Sequence, residues 1–348
     1  MDILEKVKEY YGKQIKSASD LKTSTCCATD APPKEIRDIL PLIADEIQSK
    51  FYGCGSPLPP LLEGMAVLDL GCGTGRDVYI ASKLVGESGA VIGVDMTEEQ
   101  LEIAMKYQEY HRNNFGYKAS NVKFLHGYIE SLKSLGIKDQ SVDVVISNCV
   151  INLSPNKEEI FNEIYRVLKP GGELYFSDIF ADRRIPENLA SDPLLRGECL
   201  GGAMYTEDFR RLMAQAGWAD FRYASINAIS LDDEQIEEII GFANFSSRTV
   251  RAFKLDDIED ICEDYGQVAW YKGSIPGHPH FFDFDNHHRF IANKPMLVCG
   301  NTASMISNTR YANAFEVLGD RSVHFGAFAG CGSEEGSGSS DDDTSSCC

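Results

Sequence analysis

Apolar and polar residues alternate along the chain in a pattern that predicts a repeated strand–helix order between residues 61 and 230. Short runs that are almost entirely apolar, such as "AVLDL" and "VDVVISN", predict strands that are buried on both faces. Between these runs, apolar residues recur at helical spacing, which predicts amphipathic helices. A regular alternation of this kind is typical of an α/β fold with a parallel sheet.

The segments on either side of this region have different patterns. Residues 1–60 contain amphipathic helical patterns and cysteine-containing loops, which we expect to cover the functional site. Residues 231–330 lack the strand–helix rhythm and predict a smaller C-terminal α+β domain. Residues 331–348 are acidic, of low complexity and end in a pair of cysteines, so we expect a disordered tail. The sequence therefore predicts four parts, of which 61–230 is the largest.

Composition narrows the classes of function and the compartment. The chain of 348 residues carries a formal net charge of −20, which argues against nucleic acid or an anionic membrane as a partner, because both would repel it. There is no signal peptide and no apolar run long enough to span a bilayer, so we expect a cytoplasmic protein. In a reducing compartment, 11 cysteines suggest soft-ion binding or redox chemistry, although cysteine is also a small apolar core residue.

The stretch "LDLGCGTG" is a glycine-rich loop between a predicted strand and a predicted helix. Gly71, Gly73 and Gly75 let backbone amides approach a ligand where a Cβ atom would block it. Asp95 ends the next predicted strand, where a carboxylate can bind both hydroxyls of a ribose. The glycine spacing differs from the dinucleotide fingerprint, and Asp69 before the loop would repel a pyrophosphate. A ligand with a ribose and a cationic tail, such as S-adenosylmethionine, fits this loop better.

This loop, followed by a strand that ends in "VD", resembles that of the Rossmann-like class I methyltransferases. The resemblance implies a seven-stranded, mostly parallel sheet and S-adenosylmethionine as the cofactor. Asp69 would then contact the methionine part of the cofactor and Asp95 its ribose, while Cys72 would be a small packing residue between two glycines. The cofactor-binding residues that we expect are Tyr52, Gly53, Asp69, Gly71, Gly73, Arg76, Asp95, Met96, Gln100, Ile129, Glu130, Asn148 and Val150.

Three further cysteines are expected near the methyl group of this cofactor. Cys149 directly follows the predicted strand "VDVVISN", Cys199 lies in an irregular segment after the next strand, and Cys54 lies in the turn before the first strand. Ligands of open α/β sheets bind at the carboxyl ends of the strands, so these thiols can converge there. Three thiolates favour a soft, thiophilic centre. Trivalent arsenic bound by three sulfurs keeps a lone pair, which can attack the methyl group without a general base.

The motifs "SNCVINL" and "GECLGGA", together with "FYGCG" and "HGYIE", resemble the arsenite S-adenosylmethionine methyltransferases over most of residues 1–230 and more loosely beyond. The resemblance implies that Cys54, Cys149 and Cys199 bind As(III). It also implies that Cys26 is the redox partner of Cys54. Methylation would oxidise the arsenic, thiols would reduce it again, and thioredoxin or glutathione would reduce the resulting disulfide. The expected products are mono- and dimethylated arsenicals.

Two other functions are compatible with the same residues. In a methyltransferase for a small organic substrate, Cys149 and Cys199 would only line the crevice. Such an enzyme often needs a base, and neither His111 nor His126 is well placed for that role. A non-catalytic, thiol-based arsenic-binding protein would keep the cysteines without turnover. The intact set of cofactor residues favours arsenite methylation over both alternatives.

The remaining cysteines and one histidine-rich stretch have open interpretations. Cys27 adjoins Cys26 and could replace it in the redox pair. Cys347 and Cys348 could capture or relay arsenite, but we expect a tail without effect on turnover. In "GHPHFFDFDNHH" the residues could form a metal site, but alternating polar residues at a strand edge explain the same pattern. The cysteines that we interpret as ordinary small residues are Cys262, Cys299 and Cys331.

Overall fold

The structure is a computed structural model, and it describes residues 32–51, 53 and 55–329 of the chain. Among the helices in these ranges, none is both long and apolar enough to cross a membrane. Several predicted features lie outside the described residues: the first helix, the acidic tail, and Cys26, Cys27, Tyr52, Cys54, Cys331, Cys347 and Cys348.

One large sheet forms the centre of the structure. Its strands are β1 Ala66–Leu70, β2 Ala90–Asp95, β3 Val122–His126, β4 Val142–Asn148, β5 Leu168–Ala181, β6 Met204–Tyr205, β7 Arg222–Ile229 and β8 Phe245–Phe253. The main path has the order β3-β2-β1-β4-β5-β8-β7, and the short β6 pairs with β5. Strands β1 to β5 are mutually parallel, whereas β8 runs antiparallel to both β5 and β7. The predicted mostly parallel sheet is confirmed, and its main path has seven strands.

Strand β8 lies inside this sheet, between β5 and β7. It pairs with β5 continuously from Glu173 opposite Phe253 to Ala181 opposite Phe245. The sheet therefore continues past residue 230, where the sequence analysis placed the end of the α/β region. A strand that inserts between two earlier strands depends on long-range pairing, which the local alternation of residues does not indicate.

Helices cover both faces of the sheet. The described helices are α1 Lys34–Ile39, α2 Asp45–Ser49, α3 Arg76–Val85, α4 Glu98–Lys106, α5 Gln108–Phe115, α6 Lys157–Val167, α7 Glu187–Ala190, α8 Pro193–Gly197, α9 Thr206–Gln215, α10 Glu234–Ile240 and α11 Gly300–Ser307. Helices α1 and α3 contribute to the apolar core on one face, and α6 and α9 contribute to the core on the other. With both faces covered, the strands are almost entirely apolar, as the sequence pattern predicted.

The C-terminal part has its own apolar core and smaller antiparallel sheets. Its strands are β9 Glu263–Asp264, β10 Gln267–Tyr271, β11 Phe281–Asp283, β12 Arg289–Ile291, β13 Pro295–Val298, β14 Phe315–Leu318 and β15 Gly326–Ala327. Strand β10 is the centre of a three-stranded sheet, β13-β10-β14.

A buried ion network joins the C-terminal part to the large sheet. Arg251 of β8 donates from Nε to Oε1 of Glu173 in β5 at 2.8 Å, and from Nη2 to the hydroxyl of Tyr311 at 2.6 Å. Arg310 forms a second ion pair with Glu173. Glu173 lies opposite the amino-terminal half of β4, so the C-terminal part is fixed away from the carboxyl ends of the parallel strands.

Candidate active site

A cavity that is partly open to solvent lies at the carboxyl ends of β1 to β4. Cys149, which follows β4, lines this cavity, whereas Gly53 and Cys199 are not among the described lining residues. The predicted cofactor-binding residues that line it are Asp69, Gly71, Gly73, Arg76, Asp95, Met96, Gln100, Ile129, Glu130, Asn148 and Val150. The structure thus collects in one place residues that are widely separated in the sequence.

The glycine loop after β1 adopts a conformation that other residues tolerate poorly. Gly71 has φ +71°, and a Cβ atom there would lie 2.4 Å from both methyl groups of Val150. Gly75 has φ +85° and immediately precedes α3. Gly71 therefore allows the backbone to approach the segment after β4, and the cavity lies between the two.

Three carboxylates surround this loop. Asp95 at the end of β2 accepts hydrogen bonds from the amides of Gly73 and Thr97, both at 2.8 Å, which fixes the orientation of its carboxylate. Burial raises the pKa of Asp69 well above its usual range, and the charges of Asp77 and Asp95 raise it further. A cationic ligand would lower the pKa values of Asp69 and Asp95, both raised by burial, and stabilise the carboxylates, whereas the carboxylates would repel a phosphate.

The segment before β1 is held against the cavity by polar and aromatic contacts. The guanidinium of Arg76 lies 3.8 Å from the ring centre of Phe51 and donates to Asp77 at 3.0 Å. The side-chain amide of Asn148 donates to the same carboxylate at 3.0 Å and to the carbonyl of Gly55 at 3.1 Å. A Cβ atom on Gly53 would lie 2.6 Å from that amide nitrogen. Both described glycines of the "YGCG" turn therefore lie close to Asn148, the residue before Cys149.

Cys149 and Cys199 meet at the edge of the cavity. The sulfur of Cys199 lies 3.7 Å from the backbone oxygen of Cys149, and both side chains belong to one apolar cluster. The φ angle of Cys149 is +54° and that of Cys199 is +63°. Both lie in the left-handed region that residues other than glycine rarely adopt. Such strain is most common at functional sites, where the surrounding structure enforces it. The structure thus brings together two of the three predicted arsenic ligands.

The two cysteines differ in their redox state. Cys149 is disulfide-bonded in this structure, whereas Cys72, Cys199, Cys262 and Cys299 are thiols, so none of these four is its partner. Reduction of this disulfide must precede any use of the Cys149 sulfur as a thiolate ligand.

Two cations that the sequence did not reveal contact the backbone that follows Cys149. Burial and the neighbouring Arg196 lower the pKa of Lys157 to about 8, and the Lys157 ammonium donates to the carbonyl of Ser154 at 3.0 Å. Arg196 donates to the carbonyl of Leu153 at 3.2 Å and interacts electrostatically with Cys199. The positive charge of Arg196 favours the thiolate form of Cys199. The sequence carried no local signal for them, because both lie just outside the motifs around Cys149 and Cys199.

The other conspicuous residues near the cavity have packing roles. Cys72 is buried against Gly93, and burial raises the pKa of its thiol, as expected for a residue that only packs. His111 stacks on Tyr79 with ring centres 3.7 Å apart, and burial lowers its pKa to about 4. His126 is exposed and contacts the backbone oxygen of Met96. Neither histidine lines the cavity, which removes support for a mechanism that needs a histidine base.

The histidine-rich stretch near the C-terminus forms pairs instead of a metal site. His288 contacts the carboxylate of Asp285 at 2.8 Å, and Arg289 pairs with Asp283 at 2.6 Å. Across the described ranges, no group of three or more histidine, cysteine, aspartate or glutamate side chains is arranged to hold a metal ion.

Comparisons with known proteins agree with this geometry. Residues 61–217 match the family model of a methyltransferase domain, and residues 265–344 match that of the arsenite methyltransferase C-terminal domain. The arsenite methyltransferase of Aquipseudomonas alcaligenes is 51% identical over 328 residues, which cover 94% of each chain. That of Homo sapiens is 42% identical over 317 residues, covering 90% of this chain and 83% of the human protein.

A solved structure extends the similarity to three dimensions. It is the crystal structure of an arsenic(III) S-adenosylmethionine methyltransferase from Chlamydomonas reinhardtii, with 52% identity and a TM-score of 0.83. The match covers 86% of this chain and all of that one. The predicted Rossmann-like methyltransferase fold is confirmed, and with such identity over nearly its whole length the chain belongs to the arsenite methyltransferase family.

Proposed function

We propose that the protein transfers methyl groups from S-adenosylmethionine to As(III), which is held by Cys149, Cys199 and Cys54. One observation carries this proposal: the sulfur of Cys199 lies 3.7 Å from the backbone of Cys149, at the edge of an acidic, glycine-lined cavity. The two cysteines come from different segments, and both adopt strained backbone conformations. A merely apolar wall would not require either feature.

The described residues fit S-adenosylmethionine. When bound, this cofactor supplies an electrophilic methyl group on a sulfonium centre. The fixed carboxylate of Asp95 would accept hydrogen bonds from the ribose hydroxyls, and Asp69 would face the positively charged methionine part. Met96 and Ile129 would contact the adenine ring from the loops after β2 and β3. Because Gly71 has no Cβ atom, the glycine loop can lie close to Val150 without a steric clash.

The acceptor chemistry needs thiolates but no general base. Arsenite, As(OH)₃, exchanges its three hydroxyls for three cysteine sulfurs and releases three molecules of water. The arsenic lone pair then forms the bond to the methyl carbon while the sulfonium bond breaks, and arsenic is oxidised from the trivalent to the pentavalent state. Arg196 would favour the thiolate of Cys199 for the first step. Enclosure of the cysteines excludes competing water.

Each methylation must be followed by a two-electron reduction of arsenic. In our proposal Cys26 and Cys54 supply these electrons and become a disulfide, which thioredoxin or glutathione reduces. The same reductant would also open the disulfide of Cys149 before arsenic binds. This cycle gives mono- and dimethylated arsenicals and requires a reducing compartment such as the cytoplasm.

Turnover with variants tests the proposal. Purified protein is incubated with S-adenosylmethionine, arsenite and excess thiol, and arsenic species are separated by chromatography with elemental mass detection. We expect methylated arsenic from the wild type and from the thiol-to-hydroxyl control Cys331→Ser, but none from Cys149→Ser or Cys199→Ser. Calorimetric binding of S-adenosylmethionine to each variant checks that the cofactor cavity is intact. Normal turnover by either variant would contradict the assigned arsenic site.

A further inference from the structure

A second thiol cluster lies in the C-terminal part, away from the cavity. Arg222 is the first residue of β7, and its Nη2 contacts the sulfur of Cys262 at 3.3 Å and that of Cys299 at 3.7 Å. The two sulfurs are therefore no farther apart than the sum of these distances. Because β7 runs in the same direction as the parallel strands, its first residue lies at the edge opposite to the cavity. This cluster plays no part in the methyl transfer proposed above.

From this arrangement we propose that Cys262 and Cys299 form a binding site for trivalent arsenicals that carry one organic group and two exchangeable hydroxyls. In a ligand of this class, arsenic can exchange each of its two hydroxyls for one sulfur, so two cysteines are sufficient to bind it. The described residues offer no third cysteine, histidine or carboxylate arranged to complete a metal site. The cluster thus fits a two-valent thiophilic ligand better than a metal ion that requires four ligands.

Two groups next to the Cys299 sulfur favour its thiolate form, and they act against the negative charge of Asp220. Its sulfur accepts a hydrogen bond from the amide of Thr302 at 3.4 Å, at the amino-terminal end of α11. The guanidinium of Arg222 provides a positive charge on the other side. Arg222 is itself held by Asp220, with Nη2 2.7 Å from the carboxylate, and the pKa of Arg222 is raised well above its usual range by Asp220 and the two cysteines despite its burial. Arg222 therefore stays charged while a thiolate forms.

A chain of polar groups provides an acceptor for the thiol proton. The hydroxyl of Thr302 lies 3.2 Å from the Cys299 sulfur and 3.5 Å from Nε2 of His288. The other ring nitrogen of His288 contacts Asp285 at 2.8 Å. Burial acts to raise the pKa of Asp285, but hydrogen bonds and the charges of His288 and Arg222 together lower it to about 2. A charged carboxylate that orients a histidine toward a nucleophile is the arrangement used to activate thiols and hydroxyls.

The two sulfurs differ in access, which gives an order of binding. Cys262 is partly exposed, whereas Cys299 is completely buried. The arsenical would exchange one hydroxyl for the sulfur of Cys262 first, and the second hydroxyl for the sulfur of Cys299. Two S–H and two As–O bonds break, two As–S bonds form, and two molecules of water leave. Arsenic stays trivalent, so no oxidant or reductant is needed.

The test uses phenylarsonous acid as the probe and the full-length protein reduced with a phosphine. Remaining thiols are capped with N-ethylmaleimide, and the protein is digested with trypsin. Cleavage after Lys254 and Lys272 gives a peptide whose only cysteine is Cys262. Cleavage after Arg289 and Arg310 gives one whose only cysteine is Cys299. We expect a mass that corresponds to both peptides joined by one phenylarsenic group.

Variants show whether the pair itself is responsible. Cys262→Ser should abolish the joined mass, and Arg222→Gln should slow its formation at least tenfold because the thiolate loses its cation. Thermal unfolding and S-adenosylmethionine binding verify that both variants are folded. If both peptides carry only maleimide while arsenic is found elsewhere, or if arsenic joins Cys262 to a different cysteine, the proposal is wrong. The readout uses no turnover, so its failure is separate from a failure of the proposed function.

Discussion

Substitution of Gly71 by alanine tests the proposed cofactor loop most sharply. At φ +71° an alanine pays about 1 kcal/mol for the left-handed backbone conformation. Its Cβ atom would also lie 2.4 Å from the methyl groups of Val150, and overpacking of this kind costs about 1–3 kcal/mol. Together these terms amount to about 2–4 kcal/mol, and one factor of ten in an equilibrium constant corresponds to about 1.4 kcal/mol. If the loop must keep its shape to bind S-adenosylmethionine, the Kd should rise by about 30-fold to 700-fold.

Gly73 supplies a matched control in the same loop. It also has a positive φ, +52°, but the nearest atom to a Cβ there is the side-chain oxygen of Gln100 at 4.0 Å. Gly73→Ala should therefore incur only the backbone cost of about 1 kcal/mol, a loss of affinity of roughly fivefold.

Isothermal titration with S-adenosylmethionine measures both variants, and thermal unfolding without ligand checks their folding. We expect the affinity to fall in the order wild type, Gly73→Ala, Gly71→Ala. An unchanged Kd for Gly71→Ala, or a larger loss for Gly73→Ala than for Gly71→Ala, would refute the view that close packing of this loop against Val150 shapes the cofactor cavity.

Three further outcomes are expected. Cys26→Ser should retain methylation of a monomethylated trivalent arsenical better than methylation of arsenite, measured by arsenic speciation; equal losses on both substrates would contradict its redox role. His111 has a pKa lowered to about 4 by burial, so the unfolded chain binds the proton more readily, and stability should fall as the pH drops from about 6.5 to 4. In the His111→Phe variant, the fall in the free energy of unfolding between these pH values should be smaller by about 2 kcal/mol, as measured by denaturant titrations. An unchanged pH dependence would argue against a neutral, buried His111 ring. Removal of residues 331–348 should leave turnover nearly unchanged, and a large loss in the same speciation assay would assign a function to the tail cysteines.

The cofactor side of the site could be predicted from local sequence because its residues occupy fixed positions relative to strands. Gly71 follows the first strand of the sheet and Asp95 ends the second, so the strand–helix pattern alone places both at one edge. Cys149 follows the same logic at the end of β4. Cys199 lies in an irregular segment that begins at the same edge after β5, so strand positions brought it near the site, and the family resemblance then implied its role as an arsenic ligand.

The features that escaped prediction depend on packing between distant segments. Strand β8 joins the large sheet by antiparallel pairing with β5, although many residues separate them. Lys157 belongs to an amphipathic helix, and nothing local indicates that its ammonium is buried. Cys262 and Cys299 were interpreted as ordinary small residues, yet both contact Arg222, which lies far from them in the sequence.

The central claim is that arsenic held by Cys149 and Cys199 receives the methyl group directly. A single-turnover experiment tests this claim: reduced protein is loaded with one equivalent of arsenite, separated from unbound arsenic and mixed with S-adenosylmethionine that carries a labelled methyl group. We predict that the label appears on arsenic in the wild type, and that Cys199→Ser, despite binding the cofactor normally, transfers none. Transfer by Cys199→Ser at the rate of the wild type would contradict the account.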